Sequence, residues 1–303
     1  MRFVLSRVGH ALLSMLLLSL FIFSVVRVTG DPTYLLLPET ATEEQFTRLR
    51  NELGLDRPLL EQYGIFMAKL ARGDLGNSYR LNVPVMDLVR QRFPATLQLG
   101  LSALTIALIV GIPLGVYSAY KRNTWIDAFA RLLAVIGQSA PSFWVGLILI
   151  LVIAVRLRWL PSGGYGGIDH LILPAFTVGF HAIAGLTRLV RSSMIEVLET
   201  DYVKFLRLKG VSERSILWKH GLRNAGLSAI TFIGVLTAGL LTGSVVAETV
   251  FVWPGMGQLM SQAITARDFA IVQGVVLIFS MVYIGINLVV DLLYAVLNPR
   301  LRT

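Results

Sequence analysis

The chain has 303 residues, 55% of them hydrophobic and only 15% charged, with a formal net charge of +9. A soluble domain usually carries about 25% charged residues, and the mean hydropathy here is +0.69. Apolar runs long enough to cross about 30 Å of hydrocarbon, at about 1.5 Å of helix per residue, exclude a soluble fold and define an all-α polytopic membrane protein. The surplus of Lys and Arg reads as a positive-inside bias. No basic tract is interleaved with aromatics of the kind that stack bases, so no nucleic-acid partner is expected. Cysteine is absent, which removes disulfides and thiolate metal sites.

The N-terminal run follows two basic residues, Arg2 and Arg7. It is longer than a signal-peptide core, and no A-x-A-like site follows it, so an uncleaved first span is expected at 8–28. Five more are expected at 97–120, 132–155, 171–190, 226–247 and 269–297. With Arg2 and Arg7 inside, alternation also places inside Lys121, Arg122, Arg131, the basic run from Arg191 to Arg223, and Arg300 with Arg302. The short outer connections then hold Arg156, Arg158 and Arg267, and both termini are cytoplasmic. The segment 30–96 is too long to vote on orientation, falls outside by alternation, and reads as amphipathic helices punctuated by Gly and Pro. No internal repeat or linker divides the chain, so 1–303 is read as one domain, with an extracytoplasmic loop at 30–96 and a cytoplasmic loop at 191–225.

Small residues recur at four-residue spacing, Gly111 with Gly115 around Pro113 and Gly239 with Gly243. Such pairs let helix backbones approach closely in lipid. Few span residues ionise. Arg188 and Asp291 lie near inner ends, while His181 is deep and is expected to stay neutral, hydrogen-bonded across helices. Gln138 and Asn287 fit either interhelical bonds or a polar path. Nucleotide-binding and hydrolytic signatures are missing: there is no G-x-x-x-x-G-K-[ST], H-E-x-x-H or G-x-S-x-G. The four His residues lack metal-ligand spacing. No catalytic residue, cofactor or metal site is expected in this chain.

Between two apolar runs lies "DYVKFLRLKGVSERSILWKHGLRNAG", from Asp201 to Gly226. Tyr202, Phe205 and Leu206 fall at i, i+3 and i+4 and read as one apolar face, with Lys204 and Arg207 on another. Gly210 suits a left-handed helix end, and Ser212 suits an N-cap for "ERSILWKHGLRN". A basic interfacial helix held by anionic lipid would look similar. Against that, the connection is longer than the about 2–8 residues that usually join helices. An ion-coupled secondary transporter and a lipid-binding scaffold also remain open on these residues alone.

The whole chain resembles the permease subunits of the dipeptide/oligopeptide/nickel ABC importer family. The matching stretches include "LGLDRPLLEQYGIFMAKLARGDLGNSY", "PSFWVGLILILVIAVRLRWLPSGG", "RLKGVSERSILWKHGLRNA", "ETVFVWPGMGQLMSQAITARDFAIVQGVVL" and "LVVDLLYAVLNPRLR". One departure stands out: the short helix carries Phe205, Leu206 and Leu208 where the family usually has small residues. The resemblance implies a type I importer permease with six spans that forms half of a path for di/oligopeptides or a similar solute. It implies a second similar permease subunit, two ATP-binding subunits or domains that hold ATP and Mg, and an external substrate-binding protein. The ATPase-coupling residues would be Tyr202, Lys204, Phe205, Leu206, Arg207, Gly210, Ser212 and Glu213. The loop facing the binding protein would comprise Glu248, Phe251, Trp253, Pro254, Gly255 and Gly257, with the two aromatics at the membrane interface.

Overall fold

In lipid every backbone N–H and C=O must be satisfied within its own segment, so long apolar runs fold as helices. The computed structural model describes residues 2–29, 33, 37, 40–52, 54–242 and 244–297. In chain order the helices are α1 (Arg2–Thr29), α2 (Glu43–Glu52), α3 (Leu59–Ala71), α4 (Val85–Tyr120), α5 (Trp125–Ser139), α6 (Ser142–Leu149), α7 (Ile168–Leu198), α8 (Asp201–Leu208), α9 (Leu222–Thr242), α10 (Val245–Val250), α11 (Met256–Thr265) and α12 (Phe269–Leu297). Ile150–Arg156 prolongs α6, and Ile216–Gly221 leads into α9, both in wider turns that bond i to i+5. Among the described residues five helices are long and apolar enough to cross a membrane, and a bent pair makes up to six.

That pair corrects the expected straight span at 132–155. Trp125–Ser139 and Ser142–Arg156 meet at 112°. Pro141 has no N–H to continue the helix, and the residue before a proline is pushed out of the α region. Ala140 is accordingly extended, with φ −73° and ψ 128°. The second span also begins earlier than expected, at Val85 and inside the segment read as outer loop.

The α4–α7 pair forms the centre. A Cβ on Gly115 would lie 2.8 Å from Val190 Cβ and 2.9 Å from the Thr187 carbonyl oxygen, and one on Gly111 would lie 3.2 Å from the Ile183 oxygen. These two glycines do allow close backbone approach. Gly239 does not: nothing lies within 4 Å of a Cβ built there, so the packing reading fails for it, and Gly243 lies outside the described residues.

On one flank α1 packs along α12, with Arg7, near the start of α1, 3.0 Å from Asp291, near the end of α12. Further along α1, Ser19 Oγ lies 2.8 Å from the Tyr63 hydroxyl, and Phe23 packs edge-on to Tyr63 at 5.4 Å between centroids. The amphipathic helix α3 is thereby fastened to the first span. After α3 the chain turns back on itself at the Asn77–Pro84 bridge. Ser78 Oγ donates to Asp268 at 2.6 Å, and Asp268 also caps α12 through the Ile271 N–H at 3.4 Å. One buried carboxylate thus ties the segment before α4 to the start of α12.

Candidate functional site

Helix α8 follows the C-terminal end of α7. Its exit is a Schellman turn: the Gly210 N–H donates to the Arg207 carbonyl at 3.0 Å and the Val211 N–H to the Leu206 carbonyl at 3.1 Å. Gly210 has φ +77°, which a residue with a Cβ enters only at a cost of about 1–2 kcal/mol. The glycine expected from sequence therefore ends the helix as anticipated.

The faces of α8 differ from expectation. Val203, which the pattern did not single out, is fully buried, and Leu206 one turn on is half-buried. Tyr202, Phe205 and Leu208 point outward, and Phe205 and Leu208 are 53% and 87% exposed. Steps of three and four along the helix divide the apolar residues into an inner row on the bundle and an outer row facing away. The single apolar face expected from Tyr202, Phe205 and Leu206 is thus corrected: Leu206 belongs with Val203. Lys209 Nζ sits 4.6 Å from the Phe205 ring centroid, and Lys204 pairs with Asp201 at 2.8 Å. The Lys204 ammonium holds the Asp201 carboxyl below its ordinary value.

Ser212 occupies the predicted start of the next helix with an extended backbone, φ −60° and ψ 140°, but its side chain makes no capping bond. Its carbonyl instead accepts the Ile216 N–H at 2.9 Å. The following residue makes a different bond. Glu213 receives Arg207 Nε at 2.8 Å, clamping α8 to the next segment across the Gly210 turn and raising the Arg207 guanidinium above its ordinary value. Tyr202 adds a second tie through its hydroxyl, 2.9 Å from His220 Nδ1.

What holds together the spans next to α8 escaped the sequence reading. Asp127, in the first turn of α5, is fully buried. Arg191 on α7 grips it with two bonds, Nε to Oδ1 at 2.6 Å and a terminal nitrogen to Oδ2 at 3.1 Å. Ser118 Oγ on α4 donates to Oδ1 at 2.8 Å, and the Asn123 N–H donates to Oδ2 at 3.1 Å. Arg122 and Glu199 add an exposed pair at 2.8 Å. The C-terminal ends of α4 and α7 and the N-terminal end of α5 are joined at one carboxylate, whose partner Arg191 lies ten residues ahead of Asp201 at the start of α8. The available signal was an acidic residue alone between basic ones at the start of an apolar helix.

The segment from Glu248 to Gln258 departs further from expectation. Glu248, Phe251, Trp253 and Met256 are all fully buried. The Glu248 carboxylate accepts four bonds: Thr96 Oγ1 at 2.8 Å, Ser244 Oγ at 2.7 Å, and the N–H groups of Gly257 and Gln258 at 2.7 and 3.0 Å. Trp253 Nε1 donates to the Ala95 carbonyl at 2.9 Å, and Tyr165 stacks edge-on against Trp253 at 4.9 Å. Phe251 and Trp253 are therefore not interfacial aromatics but an internal buttress between α10 and α4. Pro254 and Gly255 shape the turn; a Cβ at Gly255 would collide with the Glu248 carboxylate. Four donors aimed at one carboxylate are what make burial of that charge tolerable.

His181 is bonded across helices as expected. Its Nδ1 lies 3.1 Å from the Gly137 carbonyl on α5, and Gln138 Nε2 returns a bond to the His181 carbonyl at 3.2 Å.

These elements form a transmembrane bundle that carries a protruding, clamped amphipathic helix. The chain belongs to the family described as "Binding-protein-dependent transport system inner membrane component", whose model matches residues 111–303, and the corresponding N-terminal model matches residues 1–100. It is 40% identical to a putative peptide transport system permease protein of Brucella abortus (strain 2308), covering 99% of this chain and 98% of that one. It is 38% identical to a glutathione transport system permease protein of Escherichia coli (strain K12), covering 100% and 99%. Among solved structures, an inward-facing form of the MetNI methionine ABC transporter matches in fold, with a TM-score of 0.58, 19% identity, and coverage of 70% of this chain and 97% of that one. The chain is accordingly a permease subunit of an ABC importer, a multi-pass inner-membrane transport component rather than an enzyme.

Proposed function

We propose that this chain forms half of the translocation path of an importer for short peptides or glutathione-like solutes, and that α8 transmits movement from an ATP-binding partner. The peptide and glutathione systems named for its relatives support the substrate class. A second, similar permease subunit completes the path. Two ATP-binding subunits or domains, which bind ATP and Mg, sit beneath, and an external binding protein delivers solute. Both termini face the cytoplasm, on the side of α8; Arg300 and Arg302 lie outside the described residues.

The observation that carries the reading is the outward row of Tyr202, Phe205 and Leu208 on a helix clamped at both ends. An apolar row this exposed suits a cleft in another protein. Because α7, which leads into α8, is bonded to α4 and α5 through Asp127, displacement of α8 carried along α7 moves α4, α5 and α7 as a body. The segment 248–258 meets the binding protein through its exposed backbone turn at Val252 rather than through its buried aromatics.

The test uses the absence of native cysteine. A single cysteine replacing Phe205, carrying a photo-crosslinker, is expected to capture an ATP-binding subunit in membranes, with a yield that changes on nucleotide binding. Capture of phospholipid alone would defeat the coupling role.

A further inference from the structure

Two cavities follow one another along the face where α5 meets α7. The first, about 260 Å³, is lined by His181, Gly137 and Gly239 among others. The second, about 480 Å³, lies toward the inner end and is lined by Arg131, Gln138, Ser139, Thr187, Arg188 and Arg191. His181 and Arg188 are seven residues apart on α7, and Arg131 and Gln138 are seven apart on α5 (188 − 181 = 7; 138 − 131 = 7). At 3.6 residues per turn, seven residues return to the same side of a helix. The bonds between His181 and the Gly137–Gln138 backbone and side chain fix the two rows against each other.

The charge in the inner groove does not balance. Three guanidinium groups line it, and the carboxylate against them is Asp127, which bonds Arg191 at 2.6 Å and lies 3.7 Å from Arg131. Arg188 is exposed and has neither an ion pair nor a hydrogen bond among the described residues. Arg188 lies near the end of its span, where an arginine avoids most of the cost of facing hydrocarbon by reaching the interface; what sets it apart is that it lines this groove without a partner among the described residues. A groove walled by Gln138, Ser139 and Thr187 and floored by guanidinium groups suits a water-filled path for an anionic group. A guanidinium offers a planar fork of donors whose natural counterpart is a carboxylate.

We propose that the inner groove between α5 and α7 is a subsite of the translocation path, in which Arg188 receives a side-chain carboxylate of the travelling solute after it passes His181. The inference rests on the importer reading and narrows its solute to peptides with an acidic side chain, whose additional negative group is handed toward the cytoplasmic mouth. The same chemistry would suit a lipid phosphate, and the assignment here is to the solute.

The complete importer, with its partner subunits and binding protein, is reconstituted in vesicles and given Ala-Glu-Ala or Ala-Gln-Ala, each at a concentration set by its measured affinity for the binding protein. In Arg188→Gln the ratio of Ala-Glu-Ala to Ala-Gln-Ala uptake falls about tenfold, the scale of one lost charge-assisted hydrogen bond. In Arg188→Lys, which keeps the charge but loses the fork, it falls less, and this variant carries the test should Arg188→Gln fail to assemble. An unchanged ratio in both variants overturns the subsite, and so does a shift that disappears when phosphatidylglycerol is left out of the vesicles. If wild-type vesicles take up neither peptide under ATP, the peptide-importer reading itself fails and the subsite with it; uptake of both with an unaltered ratio sinks the subsite alone.

Discussion

The Asp127 carboxylate and the Arg191 guanidinium lie side by side, joined at 2.6 and 3.1 Å, with Asp127 fully enclosed. Arg191 is on the helix that delivers α8, and Asp127 is on the one that follows the Ser118 end of α4. The contact ties α7, which leads into α8, to the adjoining ends of α4 and α5.

Replacing Asp127 with Ala strands Arg191. Breaking a buried pair from one side costs about 3–5 kcal/mol; with 22% of the Arg191 side chain exposed, solvent recovers part of that, so a loss at the lower end is expected. Thermal unfolding of the purified complex measures it. ATP hydrolysis should persist while uptake falls, because α8 still docks but no longer moves the spans together. Equal loss of both activities would argue for a simple folding defect.

Gly210 tests the helix exit. Nothing lies within 4 Å of a Cβ built on it, so only its positive φ opposes substitution. Gly210→Asn should be close to wild type, because Asn tolerates the left-handed region; Gly210→Val should cost more than the about 1–2 kcal/mol of an ordinary side chain. The ratio of uptake to ATP hydrolysed is the readout, and Val lowering it while Asn does not is the expected pattern. Identical behaviour of the two variants would show that backbone geometry is not what matters there.

Glu248→Gln can keep its oxygen on the Gly257 and Gln258 N–H groups but must turn its NH2 to the Thr96 and Ser244 hydroxyls, which then rotate to accept, so four charge-assisted bonds become neutral ones. A loss of about 1–3 kcal/mol is expected, read as a lower unfolding temperature of the complex. Gly255→Ala should be at least as damaging, because its methyl group has no room beside that carboxylate. A stable Gly255→Ala variant would mean the turn can rearrange.

The two rows of α8 should separate in mutagenesis. Phe205→Asp and Leu208→Asp place charge on exposed positions and should leave the subunit folded while reducing recovery of the ATP-binding partner in pull-down. Val203→Asp buries a carboxylate without a partner and should reduce the amount of folded subunit itself. If Phe205→Asp retains its partner in full, the outward row is not the docking surface.

Much of this was legible along the chain. Apolar run length located the spans, because hydrocarbon thickness sets a length that local composition satisfies by itself, but it missed the early start of α4 at Val85 and the break after Ser139. Gly210 was legible because a helix end demands a backbone conformation that one residue type adopts freely. Pro141 also carried its message locally, and the bend at 112° follows from a missing N–H that a hydropathy reading passes over. The inner row of α8 was harder: Tyr202, Phe205 and Leu206 fit an apolar face by spacing, and only packing against the bundle shows that Val203 and Leu206 are the buried side.

By itself, then, the sequence determined what short-range physics decides: an integral membrane protein, its helices, their breaks, and the amphipathic piece between the spans. Tertiary structure alone decided which charges meet. Asp127 finds Arg191 across 64 residues and Glu248 finds Thr96 across 152. Over such separations spacing carries no information, and a carboxylate is stable in the interior only where folding happens to bring its donors.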